Sequence, residues 1–254
     1  MGYIVEIENL TKDYEVGFWK KKKVRALDDL SLQVESGQIF GFLGGNGAGK
    51  TTTLRCIAGI IPASKGTVSI AGHDLGRDGI EAKRALAFIP DEPHLFEYLS
   101  VEEHLRFIAR LYGVANIDTL GPAILDEMEL TEKRRALPNE LSRGMRQKLA
   151  IACGLLHEPR ALILDEPLTG LDPGGMRRMR ETIVARASAG AAVILSSHLL
   201  NLVEELCTKL IVLRQGRCVA YGSIDDLMNA HPELAGQSLE DVFLALTSDG
   251  TPTA

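Results

Sequence analysis

The chain has 254 residues, 45% hydrophobic and 24% charged, enough to fill the core of one large domain or of a domain with a subdomain. Its 28 basic and 34 acidic residues give a formal net charge of -6, which leaves no overall footprint for nucleic acid, and none is expected as a partner. No signal peptide opens the sequence and no uncharged apolar run approaches the roughly 18 residues a membrane span needs, so a cytoplasmic protein is expected.

Ile4 to Leu10 alternates like an edge strand, and Tyr14 follows it. Gly17-Phe18-Trp19-Lys20-Lys21-Lys22-Lys23 reads as an exposed hairpin tip, because four adjacent lysines cannot be buried. Ala26 to Val34 alternates again and Ser36-Gly37 turns the chain, which predicts a first antiparallel layer. Gln38 to Leu43 is an apolar run of strand length, Thr52 to Ala58 reads as a helix, and Gly66 to Gly72 is a short strand between glycines. Leu86 to Ile89 is apolar and ends at Pro90.

Helical spacing then takes over: Val101 to Leu111, about Thr119 to Met128, and Ser142 to Leu156. Strand signals vanish between residues 91 and 159, which predicts a helical subdomain inserted into an α/β core. The core resumes with Ala161 to Asp165, a helix from about Gly174 to Ser188, the buried run Ala191 to Leu195 and a helix over Leu199 to Leu206. Lys209 to Leu213 and Cys218 to Tyr221 close it as a hairpin around Gln215-Gly216, and the tail holds two short helices near Ile224 to Met228 and Leu239 to Leu246. The four cysteines, Cys56, Cys153, Cys207 and Cys218, fall in apolar segments without a C-x-x-C pair, so buried reduced thiols are expected.

The chemistry centres on Gly44-Gly45-Asn46-Gly47-Ala48-Gly49-Lys50-Thr51, a G-x-x-x-x-G-K-[ST] loop between an apolar strand and a helix that continues through Thr52. Four glycines in eight residues let successive backbone amides turn toward a phosphate, and the helix N-terminus adds partial positive charge. In this pattern Lys50 reaches the β- and γ-phosphates and the Thr51 hydroxyl ligates Mg²⁺. A glycine-rich turn matching by chance is the bland alternative, and the strand and helix on its flanks argue against it.

Leu162-Ile163-Leu164-Asp165-Glu166 delivers Asp165 to the carboxyl end of a strand, where ligands of parallel sheets sit. Asp165 is expected to hold Mg²⁺ through water and Glu166 to accept a proton from an attacking water. Leu141-Ser142-Arg143-Gly144-Met145-Arg146-Gln147 opens a helix with Ser142 as a good N-cap, which taken alone is only a capping motif.

Together these segments resemble an ATP-binding-cassette nucleotide-binding subunit over about residues 4 to 222. Gly44 to Thr51 resembles the Walker A loop, Leu141 to Met145 the signature, Leu162 to Glu166 the Walker B strand, Gly170-Leu171-Asp172-Pro173 the D-loop, and Ser196-Ser197-His198 the switch histidine. Tyr14 stands where the family places an aromatic that stacks on adenine. Gly144 to Gln147, and Ser238 to Phe243 in the tail, resemble exporter-type subunits with a separately encoded permease.

The resemblance implies a P-loop NTPase core with a parallel sheet, an N-terminal antiparallel β layer and an inserted helical subdomain. Residues 1–90 and 160–222 form the core in this reading, 91–159 the helical signature unit and 223–254 the tail. It also implies a head-to-tail homodimer, with ATP and Mg²⁺ on Gly44 to Thr52 of one subunit, covered by Ser142 and Gly144 of the other, and with Asp172 of the D-loop among the nucleotide-site residues. His198 would bond the γ-phosphate, and the pair would work on the inner face of the cell membrane through integral-membrane permease subunits. Asp91 replaces the family's usual glutamine, where a carboxylate is a possible Mg²⁺ ligand, with Glu92 beside it. Arg143 replaces the first signature glycine, and Met145 the usual glutamine. A soluble cassette protein acting on ribosomes or DNA is the competing class, but the sequence lacks the second glycine loop or basic extension such proteins carry. A small-molecule P-loop kinase is disfavoured by the signature and the histidine.

Overall fold

The structure, a computed structural model, describes residues 2–17, 21–230 and 238–247. Strands β1 (Tyr3–Val16) and β2 (Lys22–Glu35) pair antiparallel. Leu30, Leu32 and Val34 are buried on alternate positions, and the pattern then slips by one to Leu27. The slip is a pair of facing bulges. Asn9 and Asp29 both take left-handed backbone, φ 51° and 57°, and Asn9 Nδ2 donates to Asp29 Oδ1 at 2.9 Å. Lys21 pairs with Glu15, and Lys22 and Lys23 belong to β2; Phe18, Trp19 and Lys20 of the expected tip lie outside the described residues.

β3 (Ile39–Gly44) leads to helix α1 (Lys50–Ile57), after which β4 (Lys65–Ile70) and β5 (His73–Asp74) complete a four-stranded sheet of order β2-β1-β4-β5. β1 therefore has a partner on each side rather than forming the expected edge. A short helix α2 (Gly79–Arg84) precedes β6 (Leu86–Ile89).

Three helices follow: α3 (Val101–Tyr112), α4 (Ile117–Glu127) and α5 (Arg143–Leu155). Among the described residues no strand separates β6 from β7 (Ala161–Asp165), as the loss of strand pattern predicted. Ser100 and Glu103 form a reciprocal capping box on α3, and Gly113 closes that helix in left-handed conformation.

The chain continues through α6 (Pro173–Ser188), β8 (Ala192–Ser196), α7 (Leu200–Leu206), and the hairpin of β9 (Lys209–Arg214) and β10 (Arg217–Gly222). Gln215 and Gly216 both take positive φ, 50° and 79°, as the tightest hairpin turn demands. Helices α8 (Ile224–Ala230) and α9 (Leu239–Thr247) end the described chain.

The second sheet has the order β10-β9-β3-β8-β7-β6, with β3, β6, β7, β8 and β9 parallel and only β10 reversed. Its central strands are buried on both faces, so they read as unbroken apolar runs. One face, with Phe40, Phe42, Ile163 and Ile194, meets α1 and the antiparallel sheet; the other, with Ile39, Leu43, Leu164 and Leu195, meets α3 to α7 and the tail helices. This is the α/β architecture expected, with its antiparallel layer on one side. Cys56 and Cys207 are buried free thiols, but Cys218 is exposed, because β10 is an edge strand and turns that residue outward. Among the described residues no helix is long and apolar enough to cross a membrane.

Candidate nucleotide-binding site

The glycine loop leaves the carboxyl end of β3 between β8 and β9. At Gly44, φ 157°, a Cβ would come 2.7 Å from the Leu213 carbonyl oxygen. At Gly49, φ 110°, it would come 2.8 Å from Leu27 Cδ2 and 3.0 Å from the Ala26 carbonyl oxygen. Only glycine fits either place. The loop is braced from behind: the Gly216 amide donates to the Ala48 carbonyl at 2.9 Å, and the Asp28 amide donates to Gly216 at 2.9 Å. The hairpin of β9 and β10 and the strand β2 thus hold the loop rigid. Gly49 caps α1 without a side chain, so the first amides of the helix have no side-chain acceptor and suit an anion. Gly45 to Thr52, with Asn46, Gly47 and Ala48 among them, line a depression of about 200 Å³ together with Ala26.

Lys50 Nζ folds back onto the loop and donates to the carbonyls of Gly44 and, at 3.2 Å, Gly45. Burial pushes its pKa below the ordinary lysine value, and the charges of Glu166 and Asp165 oppose that. Thr51, exposed at the helix start, stands beside it. Asp165 is buried at the end of β7, in register with Ser196 of β8, whose hydroxyl donates to Asp165 Oδ1 at 2.5 Å. Glu166 follows at φ 52°, its amide bonded to the Ser196 carbonyl at 3.0 Å. Its Oε2 accepts from the His198 amide at 3.2 Å and lies 2.7 Å from His198 Nδ1. Since a carboxylate only accepts, Nδ1 carries the proton. The structure therefore brings Lys50, Asp165, Glu166 and His198 together at the carboxyl ends of three neighbouring strands.

The other expected residues sit elsewhere. Ser142 caps α5, accepting from the Met145 amide at 3.2 Å. Gly144 is buried where a Cβ would come 2.7 Å from the Gly170 carbonyl oxygen, so it lets α5 close on the segment before Asp172. Asp172 is the N-cap of α6. None of Ser142, Gly144 and Asp172 lines the depression of the glycine loop in the same chain. Tyr14 is 37% exposed on β1, with Lys12 Nζ 5.1 Å from its ring centre, and it pairs with Val24, two residues before Ala26. Asp91, expected as a possible Mg²⁺ ligand, accepts at Oδ1 from Arg143 Nη2 at 3.0 Å. Sequence reasoning missed that pair, the Ser196 bond and the Gly216 brace. The partners of each lie far apart in the chain, and no local pattern marks them.

A larger cleft of about 470 Å³ opens between β6, α3 and α5. Ile60, Pro90, Pro93, Phe96 and Ile108 line it, and Phe96 is 52% exposed, with Tyr98 88% exposed nearby in sequence.

The ABC transporter family profile matches residues 27–169. The chain belongs to the ABC transporter family. It is an ATP-binding subunit of that family, of the ATPase class. It is 38% identical over 231 residues to an uncharacterized ABC transporter ATP-binding protein of Nostoc sp., covering 89% of this chain and 68% of that one. It is 36% identical over 228 residues to the Nod factor export ATP-binding protein I of Cupriavidus metallidurans, covering 87% of this chain and 75% of that one. A solved ATP-binding subunit of an ABC transporter superposes with a TM-score of 0.88 at 34% identity, over 96% of this chain and all of that one. An ATP-binding cassette solved as a post-hydrolysis dimer with ADP and Pi has the same fold, with a TM-score of 0.78 at 24% identity, over 87% of this chain and 98% of that one.

Proposed function

We propose that this ABC subunit hydrolyses Mg²⁺-bound ATP at a site shared by two copies of the chain, and that the resulting opening and closing drives a membrane permease. The observation that carries the reading is the convergence of Lys50, Asp165, Glu166 and His198 on the start of α1. The glycine loop and the uncapped amides of α1 suit the phosphates, and Lys50 can exchange its loop carbonyls for phosphate oxygens. Among the described residues no three His, Cys, Asp or Glu side chains cluster as a metal cage. Thr51 and Asp165 suit Mg²⁺, which takes few protein ligands and shares phosphate oxygens. Bound Mg²⁺ would offset charge on the β- and γ-phosphates.

Glu166 takes the proton of the attacking water as that water bonds to the γ-phosphorus and the γ-phosphate leaves ADP. Its Oε1 takes part in neither bond to His198 and can take that proton while Oε2 stays on His198; a γ-phosphate oxygen can compete with Oε2 for the Nδ1 proton. Tyr14, near Ala26 at the rim of the loop, supplies a ring face for adenine.

Ser142, Gly144 and Asp172 line no part of their own loop's depression, which supports their serving the nucleotide of a second copy. Residues 91–159 would then act as one helical unit against a nucleotide-binding unit of 1–90 and 160–222, with 223–254 as a tail. The apolar cleft beside β6, with Phe96 at its rim, suits an amphipathic cytoplasmic segment of the permease, which would hold the subunit at the inner face of the cell membrane. Export, rather than import, is supported by the tail pattern at Ser238 to Phe243 and by the export protein among the relatives.

The test is complementation between subunits. Ser142→Arg monomers should bind ATP but not hydrolyse it, and Lys50→Ala subunits should do neither. Mixed dimers should trap one ATP each. Loss of ATP binding by Ser142→Arg monomers alone would contradict the shared site.

A further inference from the structure

The two residues that depart most in charge from the family pattern, Asp91 and Arg143, are joined to each other. Arg143 Nη2 donates to Asp91 Oδ1 at 3.0 Å across 52 residues of sequence, and both side chains are about half exposed. Asp91 belongs to the segment that leaves β6, between Pro90 and Glu92, which both line the apolar cleft. Arg143 is the first residue of α5, directly after Ser142. The Arg143 stem also lies over Gly170, φ 80°, where a Cβ would meet its Cδ at 3.1 Å. A second, neutral tie runs from Gln147 Nε2 to the Pro90 carbonyl at 3.3 Å; its Oε1 is buried without a partner. The first two turns of α5 are thus held to the cleft segment on one side and to the loop before Asp172 on the other.

We propose that Asp91 and Arg143 are positioning residues for ATP hydrolysis: their ion pair fixes Ser142 and the start of α5 to the segment lining the cleft, so that movement there is passed to the shared nucleotide site. The proposal rests on the two-copy site argued above. It also gives Asp91 a role other than Mg²⁺ ligand, since its carboxylate is neutralised by the guanidinium. A half-exposed pair adds little to folding stability. Its effect is therefore expected in assembly and turnover rather than in thermal unfolding.

The test uses the full chain carrying Glu166→Gln, with ATP-dependent dimerisation followed by sedimentation. Asp91→Asn and Arg143→Gln should each raise the dimer dissociation constant about fivefold, the order of one exposed charge pair. The double variant should be no worse than either single one, and the swap Asp91→Arg with Arg143→Asp should recover most of the loss. Thermal midpoints should stay at the parental value, and the Mg²⁺ concentration for half-maximal dimerisation should not move. Independent, additive effects would overturn the proposal, as would a Mg²⁺ requirement raised by Asp91→Asn alone. If the Glu166→Gln parent itself forms no ATP-dependent dimer, the two-copy reading falls and takes this pair's role with it; if the parent dimerises and the variants match it, only the pair's role falls.

Discussion

Replacing Glu166 by glutamine isolates basicity from shape. The carboxylate accepts from the His198 amide at 3.2 Å and faces Nδ1 at 2.7 Å, and an amide oxygen can keep both contacts. The left-handed backbone at residue 166 is already borne by glutamate, so glutamine adds no new strain there. What is lost is the charge and the ability to take a proton. Removing a general base typically costs about 10² to 10⁴ in rate, or about 3 to 5.5 kcal/mol in barrier. The assay is phosphate release at saturating ATP, with nucleotide binding measured separately. Glu166 also raises the pKa of Lys50, against the lowering by burial. Without that charge the Lys50 cation is lost at lower pH, so the alkaline limb of ATP affinity should move to lower pH in the variant. Turnover above about a tenth of the parent would refute Glu166 as the base.

Lys50→Ala should abolish tight ATP binding, measured by calorimetry, because among the described residues no other cation lines the loop depression. Ser142→Ala should lower unfolding stability by about 1 kcal/mol through loss of the bond from Met145, read by denaturant titration. Gly144→Ala should reduce phosphate release while leaving ATP binding by the monomer intact, since its Cβ would push α5 from the Gly170 carbonyl. His157 is held below its ordinary pKa of 6.5 by burial, opposed by its contact with the Leu86 carbonyl, so the unfolded chain binds the extra proton first. Its contribution to stability is present above pH 6.5 and is lost as pH falls through the folded pKa; His157→Phe should flatten that part of the acid slope of the thermal midpoint.

What was legible in the sequence was whatever repeats a local rule. The strand, glycine loop and helix around Lys50 were readable because φ values such as that of Gly49 admit almost nothing but glycine. The helix of Ser142 was readable from its cap, and the insertion between β6 and β7 from the loss of strand pattern. The pair β5 and α2 was missed because two and six residues are too few for a period to show. The place of β1 inside its sheet was missed because one strand's alternation records a buried face, not how many neighbours it has. The partner of Asp91 was not legible for a related reason: Arg143 lies 52 residues away in sequence, and only the fold shows that they meet.

On the function proposed above, the arrangement would also let one phosphate bias the position of larger elements. In the described chain three charged groups of the site have partners within their own subunit: Lys50 on loop carbonyls, Asp165 on Ser196, Glu166 on His198. In the proposed reading a triphosphate would offer better partners to Lys50 and His198 at once, and leave Glu166 to a water. The β9–β10 hairpin brace at Gly216 keeps the loop itself from yielding. In that reading the change would fall on the elements that can shift, the segment after β8 that carries His198 and, in the proposed two-copy site, the start of α5. A ligand moves an equilibrium only by its differential affinity for the two states. In the proposed function the difference is the γ-phosphate, whose loss would return Lys50, His198 and Glu166 to the internal partners they have in this structure.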